Sequence, residues 1–264
     1  MMQDTRNAAR FSGFAATYDR ARPAAPLYPV QLLTRYLGRA PGTVVDLGCG
    51  TGLSTLAWRG NCAQVIGIEP SEDMRREAEK KAAATVTFRP GFGNATGLPA
   101  ESADIVVCSQ SFHWMEPVST LREVARILVP GGIFAAIDCD WPPSVGWQAE
   151  QAFMQLYEKV RRLETELPTL ANSFVRYEKS RHLTNIRQSG HFRYARELLF
   201  ANTEPCTPQR LFALLLSQGS TQAICRQQPA LLEEDIAHLQ ALLPTLLPPQ
   251  FPAEFNYRMR MAVK

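Results

Sequence analysis

The chain has 264 residues, of which 45% are hydrophobic, 20% charged and 9% aromatic. That length fits one large domain, or a domain with a sizeable insert, and the composition excludes disorder, collagen and coiled coil as the main architecture. The net charge of +3 is too mild to point to nucleic acid, and no run of about 18 apolar residues exists to span a membrane.

The polar segment 1–10 has no apolar core, so no secretory signal is expected. Six cysteines occur at positions 49, 62, 108, 139, 206 and 225, and none form a C-x-x-C pair. Zinc ribbons and thioredoxin-like chemistry are therefore excluded, and no metal is expected. Several of these cysteines lie within apolar runs, which points to buried thiols in a reducing, cytoplasmic setting.

From Thr43 the pattern alternates short apolar strands with helices. Strands are expected at Thr43–Leu47, Gln64–Glu69, Val86–Arg89, Asp104–Ser109 and Ile133–Asp138. Runs such as Ile105-Val106-Val107 suit strands covered on both faces, as in a parallel sheet. Ser71 is placed to cap a helix with Glu72 and Asp73 in its first turn, and Ser119–Leu128 forms an amphipathic helix stopped by Pro130-Gly131-Gly132. This alternation predicts a doubly wound α/β fold. Residues from Glu150 to Leu183 then read as one long helical stretch. His191–Ala201 is a further strand, Thr207-Pro208 opens a helix that ends near Gly219, and Leu231–Leu243 is another. The tail Glu254–Val263 alternates apolar and polar residues as a half-buried strand does.

The segment Asp46-Leu47-Gly48-Cys49-Gly50-Thr51-Gly52 carries the most chemistry. A strand runs into three glycines, which allow a tight turn and close approach of a ligand to the backbone. Glu69, 17 residues after Gly52, ends the second strand, where a carboxylate can accept both hydroxyls of a ribose. A dinucleotide fingerprint needs a third glycine where Leu53 stands, and Asp46 would repel a pyrophosphate. The pair suits an adenosine ligand with an ammonium group and no phosphate, namely S-adenosylmethionine.

These residues resemble those of class I S-adenosylmethionine-dependent methyltransferases, in particular the type 11 small-molecule group. The resemblance rests on five motifs in order over about residues 40–140: Val44–Gly52, Ile68–Met74, Gly93-Asn94-Ala95 with Leu98-Pro99, Ser109–Trp114, and Leu128–Gly132. It implies a Rossmann-like doubly wound sheet of seven strands, the last antiparallel, with an N-terminal helical cap and a helical insert after strand five. The expected divisions are 1–40 for the cap, 41–140 for the cofactor-binding core, 141–190 for the insert and 191–264 for the rest of the sheet.

The resemblance also implies cofactor contacts from Asp46, Gly48, Cys49, Gly50, Thr51, Glu69, Pro70, Met74, Asn94, Ala95 and Gln110. Asn94 stands where the family usually has Asp, and its carbonyl can still accept from an adenine amine. The stretch from Phe11 or Phe14 through Tyr18, Asp19, Arg22, Pro23, Tyr28 and Pro29 is similar to the cap of trans-aconitate-methyltransferase-like proteins, which places Tyr18 and Arg22 near the cofactor or the acceptor.

His113, just past the fourth strand, is the candidate general base. With Trp114, Trp141 and Arg181 it is also a candidate for acceptor binding. Between Glu158 and Glu197, nine Lys and Arg stand against five Glu, a pattern that fits either a solvated helix face or an acidic substrate. The expected activity is methyl transfer to a small molecule, with a carboxylate as one acceptor class. The rival reading is a protein that binds S-adenosylmethionine or its demethylated product without transferring a methyl group. The basic stretch lacks an aromatic platform, and no N-P-P-Y motif follows the fourth strand, so nucleic acid is not the expected partner.

Overall fold

A computed structural model describes residues 6–7, 13 and 15–264; Phe11 and Phe14 lie outside the described residues. Its centre is a seven-stranded sheet in the order β3-β2-β1-β4-β5-β7-β6. The strands are β1 (Thr43–Leu47), β2 (Gln64–Ile68), β3 (Val86–Arg89), β4 (Ala103–Ser109), β5 (Leu128–Cys139), β6 (Tyr194–Cys206) and β7 (Phe251–Val263). The first five pair in parallel, and β7 runs antiparallel to both β5 and β6. This is the Rossmann-like arrangement expected from the sequence.

Helices α1 (Ala15–Ala21) and α2 (Tyr28–Leu37) precede the sheet. Helices α3 (Leu53–Leu56), α4 (Glu72–Glu79) and α5 (Pro117–Ile127) fall among the parallel strands. Between β5 and β6 lie α6 (Trp147–Glu166), α7 (Pro168–Ala171) and α8 (His182–Gln188). Between β6 and β7 lie α9 (Pro208–Leu216), α10 (Gly219–Gln227) and α11 (Glu233–Leu246).

The period-two geometry of the strands divides their apolar residues between two cores. Val44, Val65, Ile105, Val107 and Ile133 join Leu33 of α2, Phe153 and Leu156 of α6, and Leu211 of α9. Val45, Leu47, Ile66, Val106 and Phe134 join Leu121 and Val124 of α5 and Ile186 of α8. Both faces of β1, β2 and β4 are covered, which is why their sequences read as near-continuous apolar runs, whereas Thr87 and Arg89 of the edge strand β3 are exposed.

The long helical stretch expected over Glu150–Leu183 is broken in the structure. Leu167 leaves the helix at φ −84°, ψ 112°, and Pro168 follows. A residue before proline is pushed out of the α region by the pyrrolidine ring, so the helix stops there. After the short α7, residues 172–178 form an irregular strap, and a 3-10 turn at Lys179–Arg181 leads into α8. The helix opened by Thr207 is capped as expected, with its Oγ1 accepting from Arg210 N at 3.1 Å, but it ends at Leu216 and a second helix begins at Gly219. Strand β5 starts at Leu128, earlier than expected: Leu128 pairs with Ala103, and the register then shifts before Ile133 pairs with Ile105. Gly132 passes that shift closely, since a Cβ there would sit 2.9 Å from Val129 O.

The packing predicts unequal costs along one helix. Phe153→Ala, at a fully buried position of α6, should lower the unfolding free energy by about 3–5 kcal/mol in urea titrations. Trp147→Ala, at a position 70% exposed on the same helix, should change it by about 0.5 kcal/mol or less.

Candidate active site

The carboxyl ends of β1, β2, β4 and β5 open into a cavity of about 400 Å³. Ligands of open α/β sheets bind at this edge, where the strand order reverses. Strand β1 enters it through Gly48, Gly50 and Gly52, at φ 65°, 56° and 85°. A side chain on Gly48 would lie 2.7 Å from Ser111 Cβ, whereas one on Gly50 would meet nothing within 4 Å. Gly48 thus permits close packing against the turn after β4, and Gly50 leaves backbone bare toward open space.

Glu69 ties this loop to the next helix. Its Oε2 accepts from Gly50 N at 2.9 Å and its Oε1 from Ser71 N at 2.8 Å. Burial pushes the carboxyl up to about 7 against the pull of those two bonds, and the charge of Asp46 adds to the rise. Asp46 is fully buried, and burial pushes it up to about 6 although its Oδ2 accepts from Ser54 Oγ at 2.6 Å and Thr55 Oγ1 at 2.7 Å. Its other oxygen is buried with no hydrogen-bond partner. Asp46 is not in the cavity wall: it braces α3 beneath the glycine loop.

The other expected residues separate clearly. Gly48, Cys49, Gly50, Thr51 and Glu69 line the cavity at the glycine-loop side, with Pro70 and Met74 beside them. Asn94 and Gln110 line it too, as do Tyr18, Arg22, Trp114 and Trp141. Ala95 does not; it is exposed in a turn closed by its bonds with Phe92. Arg181 is also exposed and outside the cavity wall, in the 3-10 turn before α8. Cys49 is buried, and its thiol is held well above its ordinary value by burial, with Asp46 and Glu69 adding to the rise, so it is no nucleophile at neutral pH.

His113 is also absent from the wall. It is buried in an ionic cluster behind it, with Nδ1 3.4 Å from Asp138 Oδ1. Burial pulls its imidazole down to about 4, outweighing the neighbouring Asp138. His182 approaches Asp138 Oδ2 at 3.7 Å, and burial likewise lowers it to about 4. Lys179 Nζ lies 3.0 Å from Asp138 Oδ1, and Arg260 Nη1 lies 2.8 Å from Oδ2. Burial alone would raise Asp138, but His113 and Lys179 outweigh it and hold the carboxyl well below the usual range. His113, Asp138 and His182 are close enough together for metal ligation, yet both Asp138 oxygens already meet cations. The cluster joins β5, β7 and the 3-10 turn before α8 in one buried ion network. Its histidines stay neutral at pH 7, which removes His113 as a base facing the cavity.

Arg22 lies against two aromatic rings, 4.6 Å from the Tyr18 centroid and 5.1 Å from that of Trp141. Its Nη2 donates to Ser217 O and to Gln218 Oε1, while its buried Nε has no partner. Gln110 holds φ 56°, which few residues other than glycine adopt, and its buried Nε2 also has no partner. Its Oε1 lies 3.5 Å from Lys179 Nζ.

Sequence reasoning missed Asn7, Tyr177 and Tyr257 as cavity residues. Asn7 Nδ2 donates to Trp114 O and Val175 O, each at 2.8 Å, and Tyr177 N donates to His113 O at 2.8 Å. These bonds lay the strap over the turn after β4. Tyr257 was legible only as an alternating strand residue, since nothing local marks which face of β7 meets the cavity.

Residues 45–136 match the family model described as a methyltransferase domain. That stretch of the chain is thus similar to a methyltransferase domain. An uncharacterized methyltransferase of Mycobacterium tuberculosis is 30% identical over 142 residues, 53% of this chain and 56% of that protein. A trans-aconitate 2-methyltransferase of Acidovorax ebreus is 34% identical over 120 residues, 44% of each chain. The chain therefore spans about half the length of the curated relatives it matches. A structure assigned as a type II methyltransferase from Anaeromyxobacter dehalogenans shares the fold at TM-score 0.68 and 21% identity, covering 92% of this chain and 97% of that one.

The buried histidines give a direct test. The His113 and His182 resonances should not titrate between about pH 5 and 8 in an NMR series. Because both are lowered in the folded state, the stability they contribute is present above about 6.5 and is lost as pH falls through about 4.

Proposed function

We propose that this chain transfers the methyl group of S-adenosylmethionine to a small carboxylate acceptor. The observation that carries this reading is that one cavity holds both the Glu69 carboxylate beside the glycine loop and the Arg22 guanidinium against Tyr18 and Trp141, with a buried Nε that has no partner.

The cofactor fits the residues present. Each Glu69 oxygen has accepted one backbone N–H and retains a lone pair for a ribose hydroxyl. Gly50 leaves open space beside that carboxylate. Asn94 donates its amide nitrogen to Ser119 Oγ at 3.3 Å and keeps its carbonyl oxygen for an exocyclic amine. Asp46 and Glu69 together make that part of the cavity electronegative, which favours a ligand bearing ammonium and sulfonium charges and disfavours a pyrophosphate. S-adenosylmethionine, when bound, supplies an electrophilic methyl carbon on a positively charged sulfur.

The remaining work is positioning and exclusion of water. The Nε of Arg22 and Nε2 of Gln110 are buried donors without acceptors, and a carboxylate is the acceptor that a guanidinium pairs with most strongly. The rings of Tyr18 and Trp141 hold the guanidinium in place, and the strap with Tyr177 closes the cavity beside Trp114. A carboxylate is already ionised at neutral pH, so no general base is required. That agrees with His113 lying behind the wall with a lowered pKa. The relative named trans-aconitate 2-methyltransferase supports the same acceptor class. The six free thiols fit a cytoplasmic setting.

Calorimetric titration with S-adenosylmethionine, its demethylated product and NADH tests the cofactor. Glu69→Ala should weaken S-adenosylmethionine binding by at least about tenfold, the equivalent of roughly 1.4 kcal/mol of lost hydrogen bonding. Below about pH 7 Glu69 takes up a proton and loses its charge, so affinity should fall as pH drops through that value. The fall should be absent in Glu69→Gln. NADH binding with no response to S-adenosylmethionine would overturn the assignment.

Acceptor screening against small polycarboxylates tests the acceptor. Arg22→Gln should raise KM for a carboxylate acceptor by about tenfold or more while leaving S-adenosylmethionine affinity within about twofold. A loss confined to cofactor affinity would assign Arg22 to the cofactor instead.

A further inference from the structure

Strand β6 is the last strand of the sheet, and its outer edge can be read from the ladder phase. Lys264 N donates to Gly132 O at 3.0 Å and Asp140 N to Asn256 O at 2.8 Å, so even-numbered β7 residues bond toward β5. Odd-numbered β7 residues therefore bond toward β6, where Tyr257 is paired with Phe200 and Met259 with Leu198. The N–H and C=O groups of the odd-numbered β6 residues consequently point away from the sheet.

Both ends of this edge are closed. Arg187 Nη2 donates to Ala195 O at 3.2 Å, and Arg210 Nη1 donates to Pro205 O at 2.7 Å. Pro205 has no N–H to offer. Between these stoppers Glu197, Leu199, Ala201 and Thr203 present donors and acceptors that no hydrogen bond among the described residues meets. Natural edge strands are usually blunted by lysine, proline or a bulge. This stretch has none of these, and Leu199 is 65% exposed within it.

We propose that a second copy of this chain pairs at this edge, β6 against β6 and antiparallel, across a two-fold axis at Phe200. The unpaired stretch from Glu197 to Thr203 is symmetric about Phe200. A two-fold there sets Glu197 opposite Thr203 of the second copy and Leu199 opposite Ala201. A slip of two residues in either direction brings Ala195, whose carbonyl is capped, or Pro205, which has no donor, into the ladder.

The same register sets the exposed Arg196 opposite Glu204 of the second copy, a pair of opposite charges; Glu204 already accepts from Arg210 and would share its carboxylate between two guanidiniums. It also sets Phe200 against itself as a close non-hydrogen-bonded pair. That ring already stacks on Tyr257 at 5.1 Å and lies 4.9 Å from Tyr28, which is 42% exposed on α2. Tyr36, stacked on Tyr194 at 6.4 Å, extends the aromatic rim along the same face. Identical self-complementary surfaces make an isologous interface that closes at two copies.

Sedimentation velocity of the full chain at micromolar concentration should give twice the mass of a single chain. Leu199→Pro removes one outward N–H without touching the β6–β7 ladder, and it should halve the observed mass while circular dichroism stays unchanged. Should that variant fail to fold, Leu199→Lys places a charge at the same point and should give the same halving. Phe200→Cys should form an interchain disulfide on mild oxidation, seen as a doubled band on a non-reducing gel and absent from the parent chain. A monomeric parent, a dimer that survives both Leu199 substitutions, or a dimer in which Phe200→Cys does not cross-link would each overturn the proposal.

Discussion

The carboxylate of Glu69 is the contact on which the cavity depends. It is almost wholly buried, and it bridges the amide of Gly50 at the end of β1 and the amide of Ser71 at the start of α4. A carboxylate without such partners would be expelled or neutralised at that depth. Two backbone donors make it tolerable, and in return it fixes the two loops, alongside the bonds of Gly48 N and Cys49 N to Ile68 O. Asp46 adds a second buried acid close by, with Ser54 and Thr55 as its partners. Burial raises both carboxyls, and the charge of Asp46 adds to the rise at Glu69, so this part of the cavity favours positive charge.

A second buried carboxylate organises the other half of the molecule. Asp138 gathers Lys179 and His182 from the segment after the strap, Arg260 from β7 and His113 from the turn after β4. Removing one cation from such a network would leave an uncompensated charge in the interior, so the network holds the 3-10 turn and α8 against the sheet as well as the strap's own hydrogen bonds do. It also explains why a histidine at an apparently catalytic position is structural. Its imidazole serves an ion cluster behind the cavity, and burial keeps it neutral.

Much of the fold was legible in local patterns. The strands β1, β2 and β4 announce themselves because both faces are buried and the runs are rich in β-branched residues, and the glycine loop announces itself because its glycines hold positive φ. The cavity residues nearest these motifs, from Gly48 to Met74, were recoverable for the same reason. Asn94 and Gln110 followed from their place after successive strands. The long helical stretch was overestimated because its apolar periodicity continues past Pro168, and a single proline outweighs that pattern. Ala95 was placed by its nearness to a motif residue and Arg181 by the basic stretch around it, but both are exposed, in a tight turn and a 3-10 turn respectively.

The sequence by itself determined which segments become strands, where the chain must turn on glycine and that an acid follows at the tip of the second strand. These are properties of a few neighbouring residues, and steric limits and hydrophobic periodicity act within that range. Only the tertiary structure decided that Arg22 sits against Tyr18 and Trp141, that Tyr257 reaches the cavity, that Asp138 draws in residues from the 3-10 turn, α8 and β7, and that one edge of β6 stays bare. Each of those facts joins segments far apart in the chain or depends on the phase of a hydrogen-bond ladder. Such meetings follow from the whole sheet's order and register, which no local pattern encodes.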